Sequence, residues 1–361
     1  MMSMATIFKK PELVMNSPSP QHFYSLLSED LSPATAEISH ELRTPLTSIR
    51  GALGLLLSGK IDPHTEQGQH LLRIAANNTD RLLRLTTTLE DEHHTTQALL
   101  SSAGLERLRL EKDLFQAWDN RQFEVFYQPI VDAQDRTIQG FEALLRWHHP
   151  TRGYVSPDLF IPIAEETQLI HELGLWVFEE ACQQLAQWQQ VFPRSNPLTM
   201  SVNLSPLQLL QRDFAQRAIA ILDRQAVAVG SFRVEVTEST VIENPTAIAT
   251  LQILKSSGIQ VYLDDFGTGY SCLARLHQLS VDVLKVDRSF VVQQQWEMIR
   301  GIVQLAKSVG LTVITEGIET ETDLEQVAAL GCHALQGYWF SKPVGASHAL
   351  QLLHNDAIVA A

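Results

Sequence analysis

The chain has 361 residues, of which 45% are hydrophobic and 19% charged, with a net charge of −14. That length exceeds the usual size of a single core and implies two domains or one large barrel with an appendage, while the composition excludes a wholly disordered or collagen-like chain. The acidity is concentrated in residues 113–361, where 28 acidic side chains stand against 16 basic ones, so a nucleic-acid polymer is an improbable partner.

Residues 1–33, rich in Ser and Pro, read as a flexible N-terminal segment without a signal-peptide core. The best apolar run, Gly51 to Leu57, is far short of the ~18–20 residues of a membrane span. Cys182, Cys272 and Cys332 show no CxxC spacing, which points to a reducing compartment and away from a thiolate metal site. A cytoplasmic protein is expected.

Residues 34–92 carry two helical patterns. Ile38, Leu42, Leu46, Ile49, Leu53 and Leu56 recur at steps of four and three, and Leu71, Ala75, Asn78, Leu82, Leu85 and Leu89 do so after the turn-like segment at Gly59–Pro63. Two such stripes predict an all-α hairpin that dimerises into a four-helix bundle, so a homodimer is expected. Residues 93–112 then read as a helical linker, and residues 113–355 form the second domain.

In that domain the β-branched runs FEVFYQPIV, GFEALLRW, LTMSVNLS, FRVEVTES, IQVYLDDFG, VDVLKVDRSF, LTVITEGIE and HALQGYW alternate with amphipathic helical segments. Eight strand signals in this order predict an α/β, TIM-like (β/α)8 barrel; no glycine-rich fingerprint supports an open dinucleotide-binding sheet. Reacting groups of such barrels sit at the carboxyl ends of the strands. Those ends carry Glu142, Asn203, Glu235, Asp264 with Asp265, Lys285 with Asp287, Glu316 with Glu319, and Gln336. Any one of these could be a solvated loop residue, but their recurrence on one rim marks a site.

Carboxylates crowded into a partly buried mouth repel one another unless cations neutralise them. All-oxygen donors without Cys or His favour Mg2+, Mn2+ or Ca2+. The adjacent Asp264 and Asp265 would let one carboxylate bridge two ions, an arrangement suited to in-line attack of water on a phosphodiester. The glycine-rich segment Phe266–Ser271 reads as a mobile loop on the same rim.

These segments resemble the EAL domain family. The signature Glu142-Ala143-Leu144 is followed in order by NLS at 203–205, EVTES at 235–239, DDFGTGYS at 264–271, LKVD at 284–287, TEGIE at 315–319 and QGY at 336–338. The resemblance implies hydrolysis of cyclic di-GMP to linear pGpG with two Mg2+ or Mn2+ ions per barrel. It assigns Glu142, Asn203, Glu235 and Asp264 to one ion and Asp264, Asp265 and Glu316 to the other. Lys285 would touch the attacking water or a phosphate oxygen, with Asp287 beside it and Glu319 as supporting catalytic groups. Arg146 would meet a substrate phosphate, Gln128 and Gln336 would lie near the ligand or metal shell, and Glu238 would anchor the glycine loop. Two departures, Cys272 and Thr315, remove no ligand.

Residues 39–49, SHELRTPLTSI, resemble the phosphoacceptor box of histidine-kinase dimerisation domains. At 100° per residue the apolar stripe centres about 35° from Ile38 and His40 falls near ~200°, on the solvent side. His40 is therefore a candidate phosphoacceptor, with Glu41 and Thr44 nearby, for a partner histidine kinase or response regulator. No nucleotide-binding boxes follow, so the chain is not expected to phosphorylate itself, and the hairpin can equally serve dimerisation alone. The leading reading is a metal-dependent cyclic di-GMP phosphodiesterase regulated through the dimeric hairpin. The alternatives are a non-catalytic cyclic di-GMP receptor or scaffold, and a phosphotransfer protein with a barrel as output.

Overall fold

The computed structural model describes residues 33–57, 61–65, 67–69, 71–76, 78–79, 102–238, 240, 244–267 and 281–355. The chain divides into two compact units, Met1–Leu108 and Arg109–Ala361.

In the first unit, helix α1 (Pro33–Leu57) covers the first predicted stripe. It continues through the buried Pro45, although proline cannot donate to the carbonyl one turn back. Residues 61–65 turn the chain: the Asp62 side chain accepts from the His64 amide at 2.8 Å and its carbonyl from the Thr65 amide at 3.1 Å. Residues 67–69, 71–76 and 78–79 are helical, which agrees with the second pattern. The seam residues Leu82, Leu85 and Leu89, and the side chains of His40, Glu41 and Thr44, lie outside the described residues.

Helix α2 (Ser102–Asp119) runs past residue 112, where the predicted linker stops. Leu110, Leu114 and Ala117, spaced four and three apart, bury against Phe123, Trp147 and Phe160, and this apolar face carries the helix up to the first strand.

Eight strands close the barrel: β1 (Phe123–Asp132), β2 (Ile138–His149), then, after the short β3 (Gly153–Val155), β4 (Thr199–Asn203), β5 (Phe232–Thr237), β6 (Gln260–Phe266), β7 (Val283–Val286), β8 (Thr312–Thr315) and β9 (Ala334–Leu335). The order β1-β9-β8-β7-β6-β5-β4-β2 is completed by pairing of β1 with β2, and β3 extends β2 outside the ring. One feature departs from a regular alternation. Strand β1 is antiparallel to both of its neighbours, and every other pair in the ring is parallel. The reason is length: residues 133–137 between β1 and β2 allow only a hairpin turn, whereas a parallel crossover needs a dozen residues or more. The Asp132 carboxylate builds that turn by accepting from the Gln134 and Asp135 amides at 2.7 and 3.2 Å.

Strand alternation sorts the side chains into two populations. Phe141, Met200, Val202, Val234, Val236, Val261, Leu263, Leu284, Val286 and Val313 pack outward in the main core with helices such as α3 (Ile170–Val191) and α4 (Phe214–Arg224). Ile130, Tyr262, Val283, Ile314 and Ala334 form a separate cluster on the opposite face of their strands, which fills the barrel interior. Two residues further along several of those strands the interior becomes polar.

Candidate active site

The polar layer is organised around Lys285 on β7, whose side chain is only 1% exposed. Its ammonium lies 2.5 Å from Glu235 and from Glu316, 3.3 Å from Glu142 and 3.5 Å from Asp264. Each partner comes from a different element. Glu142 is in the middle of β2, Glu235 lies on β5, Asp264 on β6, and Glu316 follows the last residue of β8. Glu142 was expected at a strand end; it is mid-strand because β2 continues beyond the ring to pair with β1 and β3.

Amide side chains complete the cage. Asn203 donates to Glu142 Oε1 at 2.7 Å, and Gln336 donates to Glu142 Oε2 at 2.6 Å and to Gln128 Oε1 at 3.0 Å. Gln128 is directly opposite Glu142 in the β1–β2 register, so the antiparallel hairpin brings it to the site. Gly337 allows the chain to turn just after Gln336: a Cβ there would meet the Ile318 carbonyl oxygen at 2.1 Å.

Four carboxylates and one ammonium leave an excess of negative charge in a buried volume. Burial and the neighbouring Glu142 push the Glu235 carboxyl well above its usual range, against the opposing pull of Lys285. Glu316 is pushed up to about 7, by burial first and then by Asp264 and Glu142, again against Lys285. Burial also opposes ionisation of Glu142, but Lys285 and the amides of Gln336 and Asn203 outweigh it and hold this carboxyl below its usual value. Lys285 itself, despite burial, is held well above its usual range by Asp264, Glu142, Glu235 and Glu316. The cage therefore keeps its lysine charged while crowding favours a proton on some of its carboxyls.

The donor set fits hard divalent cations: every donor is oxygen, and the buried Glu235 Oε1 and Asp264 Oδ1 accept no hydrogen bond. Among the described residues no three His, Cys, Asp or Glu side chains converge on one ion position; the carboxylates converge on the lysine ammonium.

The remaining predicted residues take different positions. Asp265 is exposed with φ +54°, at the break in β6–β7 register between Leu263 and Phe266. Desolvation and the charges of Asp264 and Asp287 raise its carboxyl. Asp287 caps helix α5 (Arg288–Val292), accepting from the Ser289 amide at 3.0 Å. Glu319 is exposed, and its backbone N–H donates to Asp323 at 3.3 Å. Arg146 is half-buried, donates to the Leu145 carbonyl at 2.9 Å and stands 5.9 Å from the Phe126 ring centroid. Glu238 is buried one residue after β5. The loop it was expected to anchor lies outside the described residues from 268 on, and Cys272 with it. Thr315 is buried with its hydroxyl 3.1 Å from Cys332 Sγ, directed away from the cage.

Two contributors were not singled out in the sequence. Arg233, two residues before Glu235 and on the same face, donates to Gln260 at 3.0 Å and to Thr199 at 2.9 Å and lies 5.1 Å from the Tyr262 ring centroid. It places a positive charge beneath the acidic layer; an arginine inside the apolar run FRVEV was the available signal. Glu165, on the helix Pro157–Glu166, accepts from the Ser205 hydroxyl at 2.6 Å and so ties the segment after Asn203 to that helix. No local motif pointed to it.

This cage, assembled from strands carrying the ordered motifs, coincides with a family match over residues 111–343, to the EAL domain. The chain belongs to the EAL domain family. Residues 31–94 match the His Kinase A (phospho-acceptor) domain. Among relatives, oxygen sensor protein DosP of Escherichia coli strain K12 is 38% identical over 247 residues, 67% of this chain and 31% of DosP. The bifunctional diguanylate cyclase/cyclic di-GMP phosphodiesterase MucR of Pseudomonas aeruginosa is 36% identical over 260 residues, 70% of this chain and 38% of MucR. The solved PaMucR phosphodiesterase in complex with c-di-GMP shares 36% identity with a TM-score of 0.63, covering 67% of this chain and 99% of that one. The chain spans about a third of the length of these curated relatives, with the EAL domain as the shared part. Among the described residues no helix is long and apolar enough to cross a membrane.

Proposed function

We propose that the EAL domain hydrolyses cyclic di-GMP to linear pGpG, in a reaction that depends on two Mg2+ or Mn2+ ions. The observation that carries this reading is the cage of Glu142, Glu235, Asp264 and Glu316 around buried Lys285 at one end of the barrel. Glu142, Asn203, Glu235, Asp264, Asp265 and Glu316 would hold the ions, which when bound lower the pKa of water and neutralise charge on the phosphodiester. The residues of the chain do the rest. Gln336 and Asn203 fix the Glu142 carboxylate by hydrogen bonds to both of its oxygens, so this donor enters the reaction already oriented. Lys285, held charged by its neighbours, supplies a fixed positive charge to a non-bridging phosphate oxygen and to the attacking water. Glu316, 2.5 Å from Lys285, is counted among the ion donors, and the proton released by the attacking water passes to solvent. Arg146, above the cage on β2, binds the phosphate that is not cleaved, and the 3′ oxygen leaves from the scissile ester.

The N-terminal unit is proposed to dimerise through α1 and to set the activity of the barrel, with His40 receiving phosphate from a partner kinase or response regulator. Leu46 and Leu53 of its apolar stripe are 55% and 39% exposed, which supports a role in pairing with a second copy.

The deciding experiment is a chromatographic assay of the purified chain with cyclic di-GMP and Mg2+ or Mn2+, beside Glu142→Ala and a chelator control. Linear pGpG only in the wild-type, metal-containing sample is the expected result. Binding of cyclic di-GMP without product would overturn the hydrolase reading in favour of a receptor. For the N-terminal unit, His40→Gln should change activity only in the presence of the partner kinase; an equal change without it would point to packing.

A further inference from the structure

Asn203 closes β4 and is exposed, so packing does not fix its side chain. Its amide nitrogen donates to Glu142 Oε1 at 2.7 Å, which commits the nitrogen and leaves the amide oxygen as the donor for an ion. Strand register sets Asn203 beside Glu235, and the ladder continues for one more bond, from the Leu204 amide to the Glu235 carbonyl at 2.9 Å. There the strand ends. Pro206 has no N–H with which to extend a ladder, and it opens the helix Pro206–Leu210.

The direction in which the chain leaves Asn203 is therefore set at Ser205. Its backbone is extended, with φ −68° and ψ 145°, and it caps the helix: the hydroxyl oxygen accepts from the Leu207 amide at 3.3 Å while the Ser205 N–H donates to Gln208 Oε1 at 3.0 Å. Those bonds join neighbours in sequence and move with the segment. The hydroxyl hydrogen goes elsewhere, to Glu165 Oε1 at 2.6 Å, across 40 residues. An ionised acceptor makes such a bond short and roughly twice as strong as a neutral one. Glu165 stands in the last turn of the helix Pro157–Glu166, whose Phe160, Ile163 and Ala164 are buried in the cluster that also holds Leu110, Leu114 and Ala117 of α2. The bond thus ends on an anchored element.

We propose that Glu165 is a positioning residue of the cage: through Ser205 it fixes the turn after β4 and so holds the Asn203 oxygen at the ion site. This rests on the metal-dependent reading of the cage. Glu165 touches neither ion nor substrate in this role. Losing it frees residues 203–205, so that binding an ion must also order them, and affinity falls by that cost. The same bond ties the placement of an ion donor to the core cluster packed on α2.

The test is a double-mutant cycle on the full chain, read by calorimetric titration with Mn2+ and separately by turnover of cyclic di-GMP, with thermal melts as the check on folding. Glu165→Ala is expected to weaken Mn2+ binding on the order of tenfold; Ser205→Ala should do the same, and breaks the bond from its other end if the first variant does not fold. Glu165→Gln keeps an acceptor oxygen and should stay within about threefold of wild type. Because the effect runs through Asn203, adding Glu165→Ala to Asn203→Ala should weaken binding no further than Asn203→Ala alone. Mn2+ affinity in both alanine variants within about twofold of wild type would overturn the proposal, as would full additivity in the cycle or a wild-type chain that binds no Mn2+. A wild-type chain without turnover, in a series that shows these Mn2+ losses, would remove the hydrolase reading and leave the positioning role standing.

Discussion

The two halves of the barrel interior are made by the same strands and obey opposite physics. Ile130, Tyr262, Val283, Ile314 and Ala334 form an apolar layer; two residues along, Asp264, Lys285 and Glu316 form the charged one, with the amide of Gln128 beside them. The first is stabilised by loss of apolar surface from water and the second is destabilised by loss of charged surface from water. A cage of buried carboxylates cannot hold its own geometry. The packed layer beneath it and Lys285 at its centre do so, which explains why charges this costly remain together.

The largest effect should come from removing the central charge. Lys285→Met leaves four carboxylates without their counter-ion, and breaking a buried ion pair costs about 3–5 kcal/mol; denaturant titration in chelator should show that loss, with divalent cations restoring much of it. Unchanged stability would mean that the lysine is incidental to the cage. Glu142→Ala should lower turnover by more than ~10²-fold while the chain stays folded, because Gln336 and Asn203 lose an acceptor but the apolar layer is untouched. Steady-state rates beside circular dichroism separate these two effects.

Striking at the supporting layer should give the converse. Tyr262→Ala opens a cavity and removes the ring beside Arg233, costing on the order of 3–5 kcal/mol; the midpoint of urea unfolding measures it. A loss below about 1 kcal/mol would show that the cage does not depend on the layer beneath. Smaller still is the pH dependence. Glu316 has a folded pKa raised to about 7, so between about pH 4.5 and 7 the folded state binds more protons than the unfolded state and stability falls as pH rises. Melting temperatures across that window in chelator should slope downward for wild type and less steeply in Glu316→Gln, where the raised Glu235 keeps the remainder of the slope. The depressed Glu142 acts oppositely, gaining stability as pH rises toward its unfolded value.

Much of this was legible in the sequence. The eight strands, the polar residues that close them and the first helix follow from local periodicity, because alternation and the 3.6-residue repeat depend on neighbours in the chain. The antiparallel entry of β1 was implicit in the short interval between β1 and β2, but its consequence for Gln128 was not: that residue reaches Glu142 through strand pairing across the hairpin. Asp287 and Asp265 show the limit from the other side. Their motif neighbours are central to the cage, yet Asp287 caps a helix and Asp265 is exposed with a positive φ at a register break, outcomes set by backbone geometry.

The sequence by itself determined which residue types stand on which face of which strand, and therefore that one end of a barrel would be acidic. Only the tertiary structure decided that Lys285 would be the common partner of Glu142, Glu235, Asp264 and Glu316, residues separated by up to 174 positions, and that Arg233 would lie beneath them. Charge interaction depends on distance in space and on the surrounding dielectric. Both come from closure of the ring, which no local stretch of chain encodes.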